Sequence, residues 1–384
     1  MNVIERHVNT LIGALEGKRI SPAFFERSLI LKASVSSIFN RQDVFSLRSV
    51  GAPYYVTDLG VRFSEDPHRF YLLHCDIAGL RPIEESEIVH ALSESDIASF
   101  GNKVDAFIVF FGDYRCVSKA IAERKSELIA QGSYSTLVYC GVVLAALGNG
   151  RSADFFESAV QKTDNPHLKY AAVHRMAAAE IKRFHRSNDA IKLLTQAKDS
   201  YIDKDDPLGQ IDLALYYNLY ALAEIGSRTD LGIVSILEMA SHSLTSGLES
   251  GRLGPMSKSM AARYASQVAI NKAQILAKEG DYSAAKNILY DNLQFCILNA
   301  PEYYPEAAAE YAYTCFLDRD YDSALLWSEK AFARYYFSGD LRGMQTCREI
   351  AAASLNESGH VASGDAVAAL IHEDPLGCDD FGGQ

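Results

Sequence analysis

Two short stretches of this chain repeat one another thirty-nine positions apart: Gly280-Asp281-Tyr282-Ser283-Ala284-Ala285 is echoed by Arg319-Asp320-Tyr321-Asp322-Ser323-Ala324. Each follows an Ala-rich stretch with helical spacing and opens another, the pattern of a chain that turns one helix back on its neighbour. Such a unit cannot bury its apolar face alone, so a repeat of this period directs the chain toward a stacked array. The small residue that opens each second helix recurs as Ala153, Ala190, Gly232, Ala285 and Ala324, at spacings of 37, 42, 53 and 39.

These residues resemble the tetratricopeptide-repeat family, whose unit is about 34 residues with small residues where its two helices touch. The match is fullest over Ala269–Asn292 and Ala308–Ala331, in the turns Gly280-Asp281-Tyr282 and Asp320-Tyr321 and in Ala273, Ala285, Ala312, Ala324, Leu289 and Ala331. Leu137–Val160, His174–Ala197 and Tyr216–Met239 keep small residues at Gly141, Ala178 and Ala190 but lose the Gly-Asp-Tyr turn. The longer spacings imply longer helices or loops, with a break around Gly247, Gly251 and Gly254-Pro255. The resemblance also implies that the first helix of each pair lines an inner groove. In this register Tyr217 and Glu224, then Gln267, Gln274 and Lys278, then Glu306, Tyr313 and Phe316 face it. Tyrosines are frequent in the array, and rings of this kind serve either as peptide anchors or as packing between one helix pair and the next.

Before residue 131 the texture differs, with short apolar runs alternating with turn residues. A helix is expected from Pro22 to Phe39, strands at Val44–Val50, Tyr54–Phe63 and Arg69–Ile77, helix over Glu84–Phe100, a buried strand at Val104–Phe111 and helix over Tyr114–Ala130. The expected fold is therefore mainly α: a small N-terminal α/β domain over residues 1–130, a tetratricopeptide-like α-solenoid of five or six helix pairs over 131–372, and an acidic, Gly-rich tail over 373–384. The order of elements in the first domain is similar to PD-(D/E)xK nucleases of the restriction-endonuclease-like fold. That resemblance puts Asp58 at the first metal-binding carboxylate and Leu73-His74-Cys75-Asp76 on the strand that should carry Glu-x-Lys. Both the Glu and the Lys are missing. His74 and Asp76, sharing one face of a strand, are the residues that could join Asp58 at a metal; the other readings are a catalytically dead domain, or an unrelated fold in which Asp58 and Asp76 are ordinary strand-end polar residues.

Composition narrows the function classes. The net charge is −12, and residues 131–384 carry most of it, with 22 Lys and Arg against 32 Asp and Glu. Such an array repels phosphate backbones, so nucleic acid is not expected on the solenoid, although the first domain remains open to it. No apolar run is long enough for a membrane span. The seven cysteines form no Cys-x-x-Cys pair, which fits reduced thiols in a cytoplasmic protein. No phosphate loop, nucleophile elbow or His-Glu-x-x-His motif is present, and no cofactor is expected. The function that follows is a protein-interaction adaptor or sensor. A protein or peptide partner of basic and apolar character lies in the groove, and the N-terminal domain serves docking or oligomerisation. The alternative is a metal-dependent nuclease-like effector regulated by the solenoid.

Overall fold

The structure, a computed structural model, describes residues 3–18, Phe24, Ser28, 67–225 and 230–377. The described residues contain helices and no β-strand. They fall into two compact units, one of Met1–Ala179, Tyr336–Arg342 and Leu376–Gln384, the other of Glu180–Tyr335 and Gly343–Pro375.

In the first unit, α1 (Val3–Leu15) buries Ile4, Val8, Leu11 and Leu15, a single stripe at helical spacing. Helix α2 (Pro67–Ala78) begins on a proline, whose fixed φ suits a first helical turn, and stops before Gly79 at φ +69°. It contains Arg69–Ile77, expected as a strand. After α3 (Glu85–Ser93) comes α4 (Ile97–Phe111), which contains the other expected strand, Val104–Phe111. Those eight residues are all buried. An unbroken apolar run suits a strand covered on both faces and a helix covered all round equally well. What decides is the punctuation: Asp96 accepts the N–H of Ser99 at one end, and Gly112, left-handed at φ +64°, stops the helix at the other. The α/β domain is thus helical where it is described. The expected strands Val44–Val50 and Tyr54–Phe63 lie outside the described residues, as does the expected helix Pro22–Phe39 apart from Phe24 and Ser28.

The expected helix over Tyr114–Ala130 is two, α5 (Tyr114–Glu123) and α6 (Lys125–Gln131), parted at Arg124. Helices α4 and α5 both pack on α7 (Tyr134–Ala146), which pairs with α8 (Ser152–Gln161). Glycine makes these approaches possible. A Cβ on Gly101 would lie 2.9 Å from Thr136 Oγ1, and one on Gly141 would lie 2.8 Å from the ring of Phe156. Between α2 and α4, Phe24 stacks on His74 at 4.0 Å, and Tyr71 lies edge-on to Phe111 at 5.1 Å.

From α7 onward the chain runs in pairs. After α7 and α8 come α9 (Pro166–Lys182) with α10 (Ser187–Tyr201), α11 (Pro207–Glu224) with α12 (Asp230–Glu249), and α13 (Pro255–Lys278) with α14 (Tyr282–Asn299). Next are α15 (Tyr304–Leu317) with α16 (Tyr321–Ser338), and α17 (Leu341–Glu357) with α18 (Val361–Glu373). The first helix ends in the same way in five of these pairs, with a left-handed residue at Gly148, His185, Gly280, Arg319 or Gly359. In four of them the next N–H reaches back to the carbonyl five residues earlier: Asn149 to Leu144, Asp281 to Leu276, Asp320 to Cys315 and His360 to Leu355, at 2.8–3.0 Å. This is the Schellman stop, which satisfies carbonyls that the helix end would leave unpaired. Asp281 and Asp320 then cap the second helix by accepting from Ala284 and Ser323.

The fourth residue of the second helix is buried in every pair: Phe155, Ala190, Ile233, Ala285, Ala324 and Gly364. Ala153 and Gly232, the small residues aligned by sequence, are only half-buried. Position from the helix start, not the size of the side chain, goes with burial here. In the second unit α11 packs on α12 and on α13, and α13 packs on α14 and on α15. The final pair is closed by the buried Arg348, which donates to the carbonyls of Leu370 and Asp374 at 2.7 Å.

Candidate functional site

Successive first helices of a stacked array present one continuous face, and side chains on that face decide what can be held there. On α13, Gln267, Asn271, Gln274 and Lys278 recur at i, i+4, i+7 and i+11; on α15, Glu306, Glu310 and Tyr313 do the same at i, i+4 and i+7. Two hydrogen bonds align the helices. Asn271 Nδ2 donates to Asn218 Oδ1 of α11 at 2.8 Å, and one turn further Gln274 Nε2 donates to Glu310 Oε1 at 2.9 Å. The two stripes therefore lie side by side, with Gln274, Lys278, Glu306 and Tyr313 exposed and Gln267, Asn271 and Glu310 half-buried. Burial pushes the Glu310 carboxyl above the usual carboxylate range, against the opposing effect of the Gln274 hydrogen bond.

The other residues expected on the groove are placed differently. No residue of α11 is exposed; Glu224 is half-buried, and so is Tyr217, whose ring lies 5.2 Å from that of Tyr216. Phe316 packs on a core cluster of Ala312, Cys315, Ala324 and Ile350, with its ring 6.0 Å from that of Tyr321. Many array rings share that structural use. Tyr311 lies edge-on to Trp327 at 5.4 Å and near Tyr290 at 6.2 Å, while Lys198 covers Tyr216 and Arg263 covers Tyr303. Tyr313, by contrast, is 48 % exposed.

The metal-site candidates do not come together on a strand. His74 and Asp76 lie on α2, where two positions are about 200° apart around the axis. His74 is buried, with Nδ1 at 2.8 Å from the Phe70 carbonyl, whereas Asp76 is exposed. Asp58 lies outside the described residues, and no group of three or more potential ligands that could hold a metal occurs among the described ones. No described helix is long and apolar enough to cross a membrane.

Sequence reasoning passes over Glu310, Asn271 and Asn218. For Glu310 a signal exists: it stands four residues after Glu306 and three before Tyr313, completing their stripe. The two asparagines carry no comparable mark, because a hydrogen bond between neighbouring pairs depends on how far one pair is offset from the next.

No family model matches the chain, and no curated protein matches it. Among solved structures it is similar to a signal transduction ATPase with numerous domains and a tetratricopeptide repeat sensor from Pyrococcus horikoshii, at 13% identity and a TM-score of 0.48. That match covers 100% of this chain and 61% of the other. It is also similar to aspartyl phosphate phosphatase F from Bacillus subtilis, at 14% identity and a TM-score of 0.47, over 94% of this chain and 85% of that one. The resemblance to tetratricopeptide repeats stands on the shared turns and contact positions of the chain's own helix pairs.

Proposed function

We propose that the chain is a protein-interaction adaptor or sensor, holding a segment of a partner protein against the first helices of its fourth and fifth pairs, α13 and α15. The observation that carries this reading is the Gln274–Glu310 hydrogen bond, which sets an exposed tyrosine and several polar side chains side by side on neighbouring helices. A tyrosine offers contact area and a polar tip at little entropic cost, which suits an anchor. The acidic surplus of residues 131–384 favours a basic segment with apolar neighbours, recruited by charge and retained by contact with the ring. The N-terminal part of the chain serves in this reading as a docking or oligomerisation module.

The test uses short peptides selected for binding to the full chain. Tyr313→Ala should weaken binding by roughly 1–3 kcal/mol, and Glu306→Lys should mainly slow association, with thermal melts unchanged in both. Peptides that bind Tyr313→Ala as tightly as the parent would place the docking face elsewhere.

A further inference from the structure

Glu310 is unusual among the acidic side chains of this face. Its Oε1 accepts from Gln274, and Oε2 has no donor among the described residues. No Lys or Arg of the described residues pairs with it, although Lys272, on the neighbouring helix, is held by Glu238 at 3.0 Å. A half-buried carboxylate without a counter-ion is costly to keep charged, and a cation brought by a ligand relieves that cost. One turn further along α15, Tyr313 offers an exposed ring next to the carboxylate.

We infer that Glu310, oriented by Gln274 and flanked by Tyr313, receives an arginine side chain of the bound protein segment. This inference rests on the docking face proposed above and names the chemistry that face selects. Arginine fits better than lysine for two reasons. Its guanidinium is less strongly hydrated than an ammonium and is the easier cation to bring to a half-buried carboxylate, and its planar fork can donate to Oε2 while its face stacks on a neighbouring tyrosine ring.

The experiment is a selection of random twelve-residue peptides on the full chain and on Glu310→Gln, which keeps the side-chain shape and an oxygen to accept from Gln274. The best peptide is then resynthesised with citrulline, a neutral isostere of arginine. The parent chain should enrich arginine next to an aromatic or aliphatic residue. Citrulline should weaken binding to the parent by about tenfold or more, and should have little effect on binding to Glu310→Gln, a coupling that thermal stability does not mimic. If citrulline costs as much in Glu310→Gln as in the parent while Tyr313→Ala still weakens binding, the arginine position is overturned and the docking face stands. If no selected peptide is weakened by Tyr313→Ala, both are overturned.

Discussion

Arg319 and His185 hold left-handed backbone, at φ +61° and +56°, where the equivalent positions of three other pairs carry glycine. A side chain there crowds its own carbonyl, and glycine removes that strain while adding freedom to the unfolded chain. The first effect is the larger, so Arg319→Gly should stabilise the protein by about 0.5–1 kcal/mol, read as a raised thermal midpoint. Phe316 gives a prediction of the opposite sign. Because its ring fills a cluster with Ala312, Cys315, Ala324 and Ile350, Phe316→Ala should cost roughly 2–3 kcal/mol of stability, somewhat less than a fully buried phenylalanine. In contrast to Tyr313→Ala, its effect should appear in the melt and not primarily in binding. At this scale the sequence is a good guide to turns, since Gly280-Asp281 and Arg319-Asp320 spell out the same stop and cap. It is a poorer guide to which aromatic rings are exposed: Tyr313 and Phe316 are three residues apart on one helix, and the neighbouring pair covers only the second.

The elements show where sequence periodicity runs out. The pairs from α7 to α18 are legible because each must stop, cap and restart, and those operations use few residue types. Val104–Phe111 reads as a strand because burial on several sides erases the amphipathic period, whereas Arg69–Ile77 is buried on one face only, at Phe70, Tyr71, His74 and Cys75; Pro67 with Gly79 and Asp96 with Gly112 are the marks of helix. The docking of α1 on α2 carries a pH dependence of its own. Tyr71 Oη shares a hydrogen bond of 2.7 Å with His7 Nε2 and accepts the N–H of Ile83 at 2.8 Å. Burial holds His7 below its ordinary value of 6.5. The folded state therefore binds fewer protons than the unfolded state once the pH falls through 6.5, and stability decreases from there downward. Thermal midpoints should be level above pH 7 and decline below about 6.5, and His7→Gln should flatten that decline.

At the scale of the whole molecule the array is legible before any candidate site is. Repetition writes the same instruction several times, whereas a binding face is assembled from single residues on different pairs. Gln274 and Glu310 meet through the stacking of α13 on α15, which no local signal encodes. The six described cysteines are buried thiols outside any disulfide, in α2, α5, α7, α14, α15 and α17. Burial raises the Cys75 and Cys315 thiols to about 11 and Cys116 to about 12, so little reactive thiolate is present at neutral pH while the helices stay closed. Each thiol is consequently a clock for the opening of its own helix, since alkylation has to wait until the chain around it loosens. In pulsed labelling read by mass spectrometry, Cys140 in the enclosed helix α7 should be among the slowest to react. Because Cys347 adjoins the Arg348 clasp, Arg348→Ala should accelerate its labelling well ahead of Cys140, recording a molecule that frays from one end before it melts.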